Sequence, residues 1–391
     1  MSVVRDEAVE AFLLALPKVE NHLHLDGALS PLTVQRLAER VDGSPLKGLS
    51  LDEIKRRVVV SKPREALAEV LAAFDAFYPL LKSAPAVELA AYEAAREAQR
   101  QGIMYHELRF APVLQETENF SAREVLKAVL RGAEHGRKDF GVDFGLIICL
   151  LRPFSVISRE KNELMCALAI DFAGRGVVGL DVADVGAGDE ALSSYSKWLG
   201  AGRAAGLGLT AHAGEAPRGR ELEDALELGV NRIGHGVQFR NRPELVAEAK
   251  RQGVTIEANL TSNVLTGAVK SYKDHPVRAW FDADVKVSLS TDDPGVFGID
   301  LVHEYRLLWK ELAFAPRELV KVARAGVDSL SCRRRARRRC SRSSTGARRA
   351  PWRRSSYSAS SSGAGKASSS LSVGSGGGAS PGTIKVAVLM P

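Results

Sequence analysis

Four short stretches of this chain carry side chains suited to holding a metal ion and moving protons. The first is Asn21-His22-Leu23-His24-Leu25-Asp26-Gly27. In an extended strand residues i and i+2 face the same side, so His22 and His24 turn two imidazoles to one point, half of a metal site. Core histidines satisfied by backbone carbonyls are the plainer alternative. The second stretch, LTAHAGE (209–215), supplies His212, with Glu215 three residues on and able to reach back over the same opening. The third is Gly234-His235-Gly236, whose glycines permit close backbone approach or an unusual φ, although such a tripeptide also reads as an ordinary turn. The fourth, LSTDDPG (289–295), ends in Asp292 and Asp293. Adjacent side chains there point opposite ways, so one faces a metal and the other a substrate; an exposed acidic turn ahead of proline is the alternative.

Each of the four sits at the C-terminal end of a predicted strand. Apolar, β-rich runs fall at 19–25, 103–110, 142–151, 177–182, 207–212, 232–235, 254–258 and 285–290, with helical segments such as 122–138, 192–205, 220–228 and 243–252 between them. Strands that are apolar nearly throughout, each followed by a helix, predict a parallel sheet covered on its outer face. Eight such units in about 300 residues fit an α/β fold of the closed (β/α)8 TIM-barrel type, which places its chemistry at the C-terminal ends of the strands. An open doubly wound sheet is the competing fold, but no GxGxxG follows the first strand. Residues 30–100 form a helical insertion after the first strand. Within 63–82, Leu67, Val70, Leu71, Phe74, Tyr78 and Leu81 fall at helical spacing, a stripe that reads as core packing and that would lie over the barrel mouth as a lid.

His22 and His24 from the first strand, His212 from the fifth and Asp292 from the eighth make four N/O ligands. That set suits one Zn2+ per chain without excluding Fe2+ or Mn2+, and a water in the open position would have its pKa lowered toward about 7. The fourth strand (VVGLDVADVGAGDE) has no lysine to bridge two metals, so a mononuclear site is expected and His235 is free for acid–base or orienting work. His106, His135, His275 and His303 lack partners at ligand spacing and read as structural, and Cys149 and Cys166 read as buried, inert thiols.

The chain has 391 residues, and a hydrophobic content of 45% excludes a wholly disordered polypeptide. No run of about 18 uncharged apolar residues predicts a membrane span. Asp6, Glu7 and Glu10 interrupt the apolar N-terminus, which does not read as a signal peptide, and four cysteines without a CxxC pair exclude a disulfide framework, so a cytoplasmic protein is expected. The net charge of +7 is misleading: residues 331–391 hold 11 Arg and 2 Lys with no acid, leaving 1–330 at −6. The chain thus divides into a barrel carrying the candidate metal site, 1–330, and a basic Arg/Ser-rich tail, 331–391. The tail reads as disordered, either a nucleic-acid-binding arm or an aberrant terminus that cuts short the barrel's last helical cover.

The set PKVENHLHLDG (17–27), YHELRFAP (105–112), AGDE (187–190), TAHAGE (210–215), RIGHG (232–236), TSN (261–263) and STDDP (290–294) resembles the adenosine deaminase family of the amidohydrolase superfamily, in consistent order over residues 10–330. The resemblance implies a zinc hydrolase of purine salvage that converts adenosine to inosine and ammonia. It puts His22, His24, His212 and Asp292 on the metal, and has Glu215 protonate purine N1. His235 and Asp293 would orient and deprotonate the attacking water, and Asp293 would also contact N7. His24 lines the substrate site, Asp26 would bond the ribose 5′-hydroxyl, and Gly188 would offer a backbone N–H to N3. Asp26, where related adenine deaminases usually carry Glu, points to a nucleoside, adenosine or 2′-deoxyadenosine. Other 6-aminopurines, adenine or aminodeoxyfutalosine, are the alternative substrates, and a nucleic-acid-binding protein acting through its tail is the alternative class. Three departures stand out: GLDVADVGAGDE is about four residues longer than the family's usual segment, Asn259-Leu260 replaces Cys-Pro, and Asn21 replaces Leu.

Overall fold

The structure, a computed structural model, describes residues 2–64, 70, 73–184, 190–217 and 219–332. Eight strands pair in chain order: β1 Lys18–His24, β2 Ile103–Phe110, β3 Asp143–Arg152, β4 Val177–Asp184, β5 Gly208–Ala213, β6 Arg232–His235, β7 Thr255–Ala258 and β8 Lys286–Leu289. Every pairing is parallel. A parallel bridge between Leu23 and Asp292 brings the ends of the sheet together, with His24 N donating to Asp292 O at 3.0 Å and Asp292 N to His22 O at 3.1 Å. Helices cover the outside, and the chain is a (β/α)8 TIM barrel. Among the described residues no helix is long and apolar enough to cross a membrane.

The predicted helical segments form with two changes. Ala122–Phe140 is closed at its start by a reciprocal Ser121–Glu124 cap and at its end by Gly141 at φ 73°, and Pro243–Gln252 matches its predicted span. Residues 192–205, expected as one helix, divide into a 3-10 turn, Leu192–Tyr195, and an α-helix, Ser196–Ala204. The stripe expected over 63–82 packs in the core at Val70, Phe74 and Leu81, but its later part is not α-helical. Phe74, Tyr78 and Leu81 lie on the 3-10 turns Phe74–Ala76 and Tyr78–Leu81, where Pro79 has no N–H to continue an α-ladder. Leu67 and Leu71 lie outside the described residues. The insertion does reach the barrel mouth, where Tyr78 Oη donates to Asp26 Oδ2 at 2.6 Å.

The helical cover that the tail was expected to cut short is present: Pro316–Ser329 packs across β8 and β1. Two further residues belong to the barrel floor. Ser331 N donates to Glu107 Oε1 at 2.6 Å, Ser331 Oγ accepts from Arg232 Nη1 at 2.7 Å, and Cys332 is buried with Val19, Tyr105, Val327 and Leu330. The Arg-rich stretch that follows lies outside the described residues.

The barrel interior is charged rather than aliphatic. Arg109 of β2 bonds Asp181 of β4 and Glu257 of β7, and Arg232 of β6 bonds Glu107 of β2 and Glu257. Strands that are not neighbours in the sheet can meet only through the inside. All five side chains are essentially shielded from solvent. A buried charge is tolerated only when paired, and here every guanidinium has two carboxylates.

Candidate metal centre and active site

β1, β5 and the turn after β8 bring His22, His24, His212 and Asp292 together at the C-terminal mouth. One ligand atom from each lies within 4.8 Å of all the others. His22 Nε2 is 3.0 Å and His24 Nε2 3.2 Å from Asp292 Oδ1, and His24 Nε2 is 3.2 Å from His212 Nε2.

The protons around this cluster show what it fits. His22 Nδ1 lies 2.7 Å from Glu257 Oε2, and His212 Nδ1 lies 3.1 Å from Asp181 Oδ2. Each Nδ1–H is donated to a carboxylate, so each Nε2 turns a bare lone pair into the cluster. His22 Nε2 and Asp292 Oδ1 are both buried with no hydrogen-bond partner. Two acceptors facing at 3.0 Å, beside two further imidazole nitrogens, form a donor set suited to one shared cation. The residues present fit one divalent metal.

Arg109 ties the supporting carboxylates together. Its Nη1 donates to Asp181 Oδ2 and its Nη2 to Glu257 Oε2, both at 3.0 Å, and Nη2 also donates to Asn21 O at 2.6 Å. Burial works against both anions, but His212 and Arg109 hold Asp181 well below the usual carboxylate range, and Arg109 and Arg232 do the same for Glu257. Burial lowers His212 to about 3, so it is neutral and ready to ligate. At His24 burial is outweighed by the charges of Asp293 and Asp292, and the imidazole is raised to about 9. Metal binding therefore displaces a proton from His24. The apparent affinity, read by chelator competition, is expected to rise about tenfold per pH unit from neutral pH to about 9 and then level off. An affinity independent of pH over that interval would contradict this protonation.

The remaining groups surround the cluster. His235 and Asp292 both adopt left-handed backbone, at φ 64° and 66°, which costs a non-glycine residue about 1 kcal/mol and is found where function holds it. At His235 this ends β6 sharply and brings the ring within 5.0 Å of His22 and 5.3 Å of His212, centroid to centroid. Glu215 Oε2 is 3.7 Å from His235 Nε2, while its Oε1 accepts from Thr266 Oγ1 at 2.9 Å. Burial, reinforced by the charge of Asp292, raises Glu215 to about 7, so a protonated carboxyl is available at neutral pH. Burial and Asp292 push the Asp293 carboxyl above the ordinary carboxylate value in the metal-free site, and the charge of a bound divalent ion would act the other way, toward the carboxylate. Asp293 lies over Gly27, where a Cβ would fall 1.8 Å from its Oδ1, so the turn after β1 needs glycine there. Gly188 lies outside the described residues.

Several supporting residues carried no role in the sequence reading. Ser262 Oγ donates to Asp292 Oδ2 at 2.8 Å, and Asn263 Nδ2 lies 2.9 Å from His235 Nδ1, so the TSN stretch braces two groups of the site. Asp181, Glu257 and Arg109 were visible only as charges inside apolar strands. His106, His135 and His303 take no part in the ligand cluster.

The comparisons with known proteins agree with this geometry. The family model described as adenosine deaminase matches residues 17–342. The adenosine deaminase of Clostridium perfringens is 33% identical over 327 residues, 82% of this chain and 95% of that one. The adenosine deaminase of Enterococcus faecalis is 34% identical over 325 residues, 81% and 93% of the two chains. Among solved structures, the Arabidopsis N6-mAMP deaminase superposes with a TM-score of 0.75 at 25% identity, over 86% of this chain and 99% of that one. With the family model spanning the whole barrel and two curated relatives covered nearly end to end, the chain belongs to the adenosine deaminase family.

Proposed function

We propose that the protein hydrolyses adenosine and 2′-deoxyadenosine to the corresponding inosines and ammonia, with one zinc ion held by His22, His24, His212 and Asp292. The observation that carries the reading is a four-ligand cluster whose free lone pairs converge beside the buried Glu215, whose carboxyl burial raises to about 7. When bound, zinc supplies the Lewis acidity that makes water a competent nucleophile near neutral pH.

The chain's own residues complete the reaction. Thr266 holds Glu215 Oε1, so the proton sits on Oε2, the oxygen facing the site. Glu215 gives that proton to N1 as the water oxygen bonds to C6 and the ring electrons move onto N1. His235 and Asp293 flank the water, one orienting it and one taking its proton. The C6–N6 bond then breaks, the amine leaves as ammonia with the proton the water gave up, and the remaining hydroxyl proton returns to Glu215 as C6 becomes a carbonyl. Asp293 contacts N7, Gly188 offers its N–H to N3, and His24 lines the purine pocket.

Asp26 supports a nucleoside over a nucleotide. Its Oδ2 accepts from Tyr78 and its Oδ1 from Gly27 N at 3.2 Å, which holds the carboxylate at the mouth for a ribose 5′-hydroxyl and sets it against a 5′-phosphate. Loss of ultraviolet absorbance with adenosine, 2′-deoxyadenosine, N6-methyl-AMP and adenine, with and without chelation, tests the reading. Adenosine is expected to turn over fastest, and only with metal. Faster turnover of the nucleotide or the free base would replace the substrate, and no turnover of any 6-aminopurine by zinc-loaded protein would overturn the reaction.

A further inference from the structure

His235 ends a buried chain of hydrogen bonds whose proton positions can be worked out from one end. Val277 N–H donates to His275 Nδ1 at 3.2 Å. A backbone N–H can only donate, so His275 Nδ1 is bare and its ring proton is on Nε2. That Nε2–H points at the side-chain amide of Asn263 at 3.1 Å and requires the oxygen there, which places Asn263 Oδ1 toward His275 without reliance on how the amide is drawn. The Asn263 NH2 must then face the other way, to His235 Nδ1 at 2.9 Å. An Nδ1–H would meet that NH2 head-on, and Asn259 Nδ2, 3.3 Å from the same nitrogen, turns a second NH2 toward it. The neutral His235 ring therefore carries its proton on Nε2, the nitrogen that faces Glu215 and the ligand cluster. His275 and Asn263 are buried, and among the described residues their side-chain hydrogen bonds reach the site only at His235.

We propose that His275, acting through Asn263, is a positioning residue that holds His235 as the Nε2–H tautomer. His235 is then a hydrogen-bond donor to the oxygen of the attacking water, and Asp293 is the group that takes the water's proton. The proposal rests on the deamination reading above and divides the work that reading leaves shared. A ring nitrogen that already carries hydrogen has no lone pair with which to accept another. The proton balance closes without His235: one water proton passes to the Asp293 carboxylate and leaves with the amine, N1 takes the Glu215 proton, and the second water proton restores Glu215 as the C6 hydroxyl becomes the carbonyl. A donor at this position strengthens its bond as charge develops on the oxygen, which favours the transition state over the ground state.

The test is the ring nitrogen chemical shifts of His235 in zinc-loaded, full-length protein labelled with 15N-histidine, with the signals identified by their loss in His235→Asn. Wild type is expected to show a protonated Nε2 and a bare Nδ1. A protonated Nδ1 would overturn the proposal, whatever the activity. Asn263→Asp presents an acceptor to Nδ1 and is expected to draw the proton there, lowering kcat about 10–100-fold with KM little changed. Unchanged His235 shifts in a folded Asn263→Asp protein would also overturn it. His275→Gln, which still donates to Asn263 Oδ1, is expected to keep the wild-type tautomer, whereas His275→Phe loses it. If zinc-loaded protein deaminates no 6-aminopurine, the reaction falls, but the wild-type shifts still decide the tautomer.

Discussion

Glu215→Gln is expected to lower kcat for adenosine by about 10²–10⁴-fold while the protein keeps its metal and its fold. The amide matches the carboxyl in shape, and its oxygen can still accept from Thr266 Oγ1, the bond that places the wild-type side chain. Glu215 is not one of the four clustered ligand atoms, so metal content should not change. Only the transferable proton is lost. In wild type that proton is kept at neutral pH because burial and the Asp292 charge raise the carboxyl to about 7. An amide N–H can still approach N1 without ionising, so KM should change far less than kcat, the mark of an interaction that matters in the transition state. Steady-state kinetics with metal analysis of the same sample check this. A variant within a few-fold of wild type would remove Glu215 from the acid role.

The four clustered residues could be read from the sequence because their signal is local. His22 and His24 follow the two-residue period of a strand, and His212 and Asp292 end apolar runs whose barrel order fixes which rim they share. Their supports were not readable, because a charge inside an apolar strand announces that it has a partner but not which one. Arg109 in IMYHELRF, Asp181 in VVGLDVAD and Glu257 in TIEA meet only when β2, β4 and β7 close around a common interior. TSN was recognisable as a motif, yet the contacts of Ser262 and Asn263 depend on where the helix Leu260–Leu265 starts relative to two other strands. The departures from α-helix at 192–195 and 74–81 have one cause: apolar residues three apart satisfy a 3-10 turn as well as an α-helix, and the pattern does not separate them. Ser331 and Cys332 were invisible for a different reason, since two residues carry no periodicity and the Arg/Ser composition around them reads as unstructured.

Arg109→Met is expected to destabilise the fold by about 3–5 kcal/mol, the usual result of removing one partner from a buried ion pair. Met comes close to the arginine stem in volume, so the loss is electrostatic more than a packing defect. The variant leaves Asp181 with His212 and Glu257 with His22 and Arg232, and leaves Asn21 O without its 2.6 Å donor. Because those two carboxylates fix the imidazoles of His22 and His212, metal affinity should also fall, by about 10–100-fold. The pH dependence separates this from a simple cavity. In wild type both carboxylates are held below their ordinary values, burial being overcome mainly by His212 and Arg109 at Asp181 and by Arg109 and Arg232 at Glu257. A depressed folded value contributes stability above the unfolded pKa of about 4, which is lost as pH falls toward the folded value. Without Arg109 the depression relaxes, the folded variant takes up protons at higher pH than wild type, and its deficit should shrink as the solution is acidified. Denaturant unfolding of metal-free wild type and variant, at neutral pH and near pH 4, measures both quantities. A deficit that stays the same across that range would show that Arg109 contributes through packing, and the carboxylate pair would then need another source for its ionised state.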